Sequence, residues 1–154
     1  MGKMEIIYQK LENIFPKYYQ YINNANNCGL TPAEIYLLQI LHKIGNCSVT
    51  ALAPMLGVTP ATVTNLTDRL NNKGYVQRER DEDDRRVVQI VPTEEGLGLV
   101  EKINADRISM LGFVLKDLGE EALDDLVKML EDVEECFNRF IAGTRSGNGS
   151  EINK

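Results

Sequence analysis

The sequence predicts a mainly α-helical chain that carries one small β-hairpin. Three observations predict it. Apolar residues recur at spacings of three and four along most of the 154 residues. Two Thr-Pro pairs, Thr31-Pro32 and Thr59-Pro60, read as helix starts, with a capping hydroxyl followed by a ring pre-set for the first helical position. Only between Gly74 and Pro92 does the period become extended. Hydrophobic residues at 43% and charged residues at 26% suit a globular chain of one domain. No apolar run approaches the ~18 residues of a membrane-spanning helix. The N-terminal stretch carries Glu5 and Glu12 and lacks the order of a signal peptide, so a soluble, cytoplasmic protein is expected.

Element by element, residues 3–22 place Ile6, Ile7, Leu11, Ile14, Phe15, Tyr18, Tyr19 and Ile22 on an amphipathic helix, bent or restarted near Pro16. Asn23 to Gly29 is a polar connection. Thr31 caps a helix over 32–44, with Glu34 closing a capping box and Ile35, Leu37, Leu38 and Leu41 buried. Thr50 caps a short helix, Ala51 to Leu56, with Leu52, Ala53 and Leu56 facing inward, and Gly57 ends it. Val58 plugs the turn. Thr59 then caps a helix from Pro60 to Asn72 that buries Val63, Leu66 and Leu70.

Two helices crossing steeply over a short turn need a small residue where their axes meet, a glycine in the turn, and apolar residues that pin both to a third helix. Ala53, Gly57 and the leucines of residues 32–44 supply these, which is helix-turn-helix geometry. Strands at 75–80 and 86–91, joined by a polar turn at 81–85, follow as a wing. Residues 93–118 and 120–142 then form two long helices broken at Gly119, and the Gly/Ser/Asn-rich residues 143–154 form a flexible tail. The expected organisation is one domain over 1–142. Its core is the winged helix-turn-helix at 32–92, and residues 3–22 and 93–142 supply additional helices. Those helices either pack as a hairpin on their own chain or interlock with a second copy. Their apolar seams exceed what the winged core needs, which favours a two-fold homodimer.

Charge and chemistry narrow the function. The net charge is −6, but residues 92–142 hold 13 acidic and 5 basic residues, whereas residues 59–80 are locally basic. A basic stripe on an acidic protein suits phosphate and limits non-specific adhesion. His42 is the only histidine, and no phosphate-binding loop, nucleophile elbow or zinc spacing occurs, so neither an enzyme nor a cofactor or metal is expected.

The order of elements, together with Leu52-Ala53, Val58-Thr59-Pro60-Ala61-Thr62-Val63-Thr64, Asp68-Arg69-Leu70, Lys73-Gly74-Tyr75-Val76 and Asp84-Arg85-Arg86 before Thr93-Glu94-Glu95-Gly96, resembles the MarR family of bacterial transcriptional regulators over about residues 5–142. The resemblance implies a homodimer on a pseudo-palindromic operator of double-stranded DNA, usually a repressor released by a small-molecule effector or an oxidant. The chain departs from the family's habit in having Asn65 where many members carry arginine.

The helix starting at Pro60 is expected to enter the major groove with its N-terminal end leading. Thr62 and Asn65 would reach base edges, the asparagine being suited to adenine. Thr59 and Thr64 would contact phosphate near the helix N-terminus. Arg69 either contacts phosphate or pairs within the fold, and Arg78 is a phosphate contact on the strand surface. In the wing, Asp84 would orient Arg85 or Arg86 toward the minor groove. Two alternatives share the fold. One is a redox-sensing regulator using Cys47, the least implausible of the three cysteines (Cys28, Cys47 and Cys136), and the other is a protein–protein adaptor that no longer reads DNA. Tyr18, Tyr19, Tyr21 and Tyr36 either line an effector pocket or, as helical spacing more often means, belong to the core, and none is assigned to a site.

Overall fold

A computed structural model of the chain describes residues 2–25, 28–80 and 87–146. The chain order is α1 (Lys3–Ala25), α2 (Pro32–Ile44), β1 (Cys47–Ser48), α3 (Val49–Leu56), α4 (Pro60–Asn72), β2 (Val76–Arg80), β3 (Val88–Pro92), α5 (Glu94–Val114) and α6 (Glu120–Ser146). It divides into two compact units, residues 1–108 and 109–154.

In the first unit, Thr31 and Glu34 close the predicted capping box. The Thr31 backbone N–H donates to Glu34 Oε2 at 2.7 Å, and the Glu34 N–H donates to Thr31 Oγ1 at 3.3 Å. The apolar face of α2 meets α3, α4, the sheet and the start of α5. Leu37, Leu41, Leu52, Val63, Leu70 and Ile90 are all fully buried, with Val76 and Val100 beside them. Each such side chain contributes about 1.5–3 kcal/mol relative to exposure, so this cluster holds α4 from behind.

Several boundaries differ from expectation. Helix α1 runs through Pro16 as one helix and reaches Ala25 rather than ending at residue 22. Proline removes one backbone donor from the ladder, and the turns on either side keep theirs. Ser48, not Thr50, caps α3: its Oγ accepts from the Ala51 N–H at 3.3 Å, and Thr50 Oγ1 is bonded to Ser48 Oγ at 3.1 Å. The earlier start follows from β1, a two-residue strand that the sequence did not announce. Cys47 pairs with Ile90 and Ser48 with Gln89, giving a three-stranded antiparallel sheet in the order β1-β3-β2. With this start, Pro54 lies in the second turn of α3. Val58 does not plug the turn, since it is 38% exposed. The turn is instead closed by the left-handed Gly57 (φ 66°) and by the Val58 N–H donating to the Ala53 carbonyl at 3.1 Å.

The base of the hairpin is fastened to α5 by Thr93. Its N–H donates to the Tyr75 carbonyl at 3.1 Å, its Oγ1 donates to the Gly74 carbonyl at 2.7 Å, and the same oxygen accepts from the Gly96 N–H at 3.1 Å. Gly96 is buried, and a Cβ there would stand 2.1 Å from the Tyr75 carbonyl oxygen. The backbone of α5 therefore approaches the hairpin as closely as only glycine allows.

Helix α1, within the first unit, keeps Ile7, Ile14, Phe15 and Tyr19 about half exposed. The four tyrosines lie outside the core: Tyr18 is partly buried, and Tyr19, Tyr21 and Tyr36 are exposed. In the second unit, α6 continues past Ala142 to Ser146, with the Thr144 hydroxyl donating to the Ile141 carbonyl at 2.9 Å. The tail expected from residue 143 thus begins as helix, and residues 147–154 lie outside the described residues. Leu123 and Leu126 are partly buried, whereas Leu130, Val133, Phe137 and Phe140 on the same seam are exposed.

Candidate nucleic-acid interface

The expected site centres on α4, and its local chemistry fixes the start of that helix. Thr59 has extended backbone (φ −76°, ψ 154°), and its Oγ1 accepts from the Thr62 N–H at 3.2 Å, with Pro60 at the first helical position. Behind the helix, Val63, Leu66, Thr67 and Leu70 are buried. In front, Thr62, Asn65 and Arg69, at i, i+3 and i+7, form one exposed face. Among the described residues, neither Asn65 nor Arg69 has a side-chain hydrogen bond or ion pair, and both side chains are exposed.

The threonines are less free. A phosphate oxygen needs a donor, and the only hydroxyl proton of Thr64 goes to the Pro60 carbonyl at 3.0 Å, within its own helix. Thr59 and Thr62 share one hydroxyl–hydroxyl bond of 3.0 Å, which leaves one proton between them for an outside acceptor. Thr59 is thus first of all the helix cap.

Arg78 departs most from its expected place. Its Nη2 lies 2.6 Å from Asp68 Oδ1 and donates to Thr67 Oγ1 at 3.1 Å. The guanidinium is bound to the back edge of α4 rather than standing alone on the strand. The pairing of Asp68 and Thr67 with Arg78 could not be read from the sequence, because their partner lies on another element. At the end of α4, Lys73 Nζ donates to the Gly29 carbonyl at 2.6 Å and stands 4.0 Å from Glu34 Oε2, a carboxylate only 2% exposed. That contact ties the C-terminus of the helix to the start of α2.

Val76 to Arg80 pair with Pro92 to Val88 in antiparallel register, ending at Arg80 opposite Val88. Asp84, Arg85 and Arg86 lie outside the described residues. Cys47 sits in β1 and is buried, and that burial pushes its thiol above the usual range, a backbone hydrogen bond at Ser48 offsetting it only in part. A sensor thiolate needs access and a lowered pKa. Cys47 has neither, which weighs against the redox alternative.

The match to known proteins falls on these same elements. The model of the MarR family matches residues 30–88, from the start of α2 into β3. The transcriptional repressor MdtR of Bacillus subtilis is 31% identical over 78% of this chain and 74% of its own. The repressor YetL of the same organism is 33% identical over 73% of this chain and 68% of its own. A MarR family protein of Bacillus stearothermophilus, of solved structure, is 26% identical and covers 90% of this chain and 99% of its own, with a TM-score of 0.82. With the capped α4 on its apolar bed, the sheet behind it, and relatives of this closeness along most of its length, the chain belongs to the MarR family of helix-turn-helix transcriptional regulators.

Proposed function

We propose that the chain is a cytoplasmic, homodimeric repressor that binds a pseudo-palindromic operator in double-stranded DNA and is released by a small-molecule effector. One observation carries the reading: Thr62, Asn65 and Arg69 present an exposed polar face on a helix whose opposite side is locked into the core. In this reading Asn65 and Thr62 meet base edges and Arg69 meets phosphate. Thr59 and Thr64 shape the leading turn, Arg78 braces it, and Arg85 and Arg86, oriented by Asp84, reach the minor groove. The apolar faces of α1 and α6, exposed in the single chain, supply the surface for the second copy. The named repressors among its relatives support the sign of the regulation.

Selection of bound duplexes from random DNA, followed by titration at several salt concentrations, tests the proposal. The selected sites should be palindromes with half-sites about one helical turn apart. Affinity should fall with a log–log salt slope of about −0.9 for each phosphate neutralised. Equal binding of selected and scrambled duplexes would support the adaptor reading instead.

A further inference from the structure

We infer that Arg78 and Asp68 form a positioning pair that sets the angle of α4 for base readout, with Arg78 acting through the protein rather than on DNA. The inference rests on the DNA-binding reading and deepens it. From β2, Arg78 Nη2 reaches Asp68 Oδ1 at 2.6 Å and Thr67 Oγ1 at 3.1 Å. Thr67 is fully buried, and its hydroxyl passes its own proton to the Thr64 carbonyl at 2.9 Å. The guanidinium therefore begins a chain of donors that reaches the turn carrying Thr64 and Asn65. Thr64 continues it, donating to the Pro60 carbonyl at 3.0 Å on the leading turn.

The register of the sheet explains why Arg78 is in reach. Arg78 stands opposite Ile90, which is fully buried and pairs with Cys47 on its other side, so its strand position is anchored on the central strand of the sheet. A charge at that point is a fixed reference for the helix. Arg78 and Asp68 side chains are 38% and 48% exposed, so solvent screens their attraction and the pair adds little to overall stability. What it supplies is direction, because a charge-assisted bond of this length tolerates little rotation of α4.

Charge alone and positioning predict opposite signs for Asp68→Asn. Removing a carboxylate beside a DNA-binding face should tighten binding if only electrostatics matter. If the pair positions the helix, binding to the selected duplex should weaken. We expect Asp68→Asn and Arg78→Gln each to lower affinity for the selected duplex by about tenfold, with no further loss in the double variant, as coupled partners require. The ratio of selected to scrambled affinity should fall in both single variants, and the salt slope should change by less than one phosphate. The swapped pair Asp68→Arg with Arg78→Asp should recover part of the lost discrimination, and it decides the matter if either single variant melts below the assay temperature. The inference is overturned if Asp68→Asn tightens binding, if the swapped pair recovers nothing, or if Arg78→Gln weakens all duplexes alike and flattens the salt slope by about one phosphate. An unmodified protein that fails to distinguish selected from scrambled duplexes defeats the DNA-binding reading itself, which separates the two failures.

Discussion

Gly96→Ala is expected to destabilise the protein by about 3 kcal/mol, the upper end of what an extra methyl in a packed site commonly does. The added Cβ would lie 2.1 Å from the Tyr75 carbonyl oxygen and 3.0 Å from its carbon, and both are backbone atoms that no rotamer change can move. Relief requires α5 to shift from the hairpin base, and the three bonds made by Thr93 tie that base at Gly74, Tyr75 and Gly96. For a chain of this size the thermal midpoint should fall by roughly 6–12 °C. Gly98→Ala is the control. It lies two residues along the same helix with nothing within 4 Å of its Cβ, and alanine there should stabilise by about 0.5–1 kcal/mol through helix propensity. Thermal denaturation of the two variants checks the sign of each.

The second large effect concerns α6. Leu130 and Phe137, seven residues apart on one seam, are 59% and 60% exposed in the single chain, with Val133 at 51% and Phe140 at 57% around them. In the proposed homodimer this seam is the association surface, because so long an apolar stripe would otherwise face water. Leu130→Glu combined with Phe137→Glu should convert the dimer to a monomer by light scattering, because two carboxylates would be buried without partners. The winged core draws its buried residues from α2 to the first half of α5, so the helical circular dichroism and the melting of that core should persist. Operator affinity should fall by about 10²–10⁴, the gain that linking two half-site contacts provides. Retention of the dimer would place the interface elsewhere.

What the sequence disclosed follows from the range of the forces involved. Caps and periodicity act within a few residues, so Thr31 with Glu34, Thr59 with Pro60, and the buried sets of α2, α3 and α4 could all be read directly. Strand β1 could not. Two residues carry no alternation, and its partner Ile90 is more than forty positions away. The displaced cap of α3 has the same origin, since Ser48 and Thr50 are both good caps and the sheet decides between them. Gly96 could be read only as part of the Thr93-Glu94-Glu95-Gly96 string, because its packing depends on the Tyr75 carbonyl that the fold brings against it. Within the site, the exposed face of Thr62, Asn65 and Arg69 follows from helical geometry, whereas the pairing of Arg78 depends on how β2 docks beside α4. The Thr64 hydroxyl is a middle case: threonine donating to the carbonyl four residues earlier is a local habit, and it takes from Thr64 the proton that a phosphate contact would use.

In the proposed function, the face of α4 that bears Asn65 reads base edges in the major groove. Measuring the affinity of Asn65→Ala for every single-base change in the selected operator tests it most directly. Discrimination should collapse by about 1–3 kcal/mol at one base pair in each half-site, while the other positions and the salt slope stay as they were. An unchanged profile, with Asn65→Ala binding every variant site as the unmodified protein does, would contradict it.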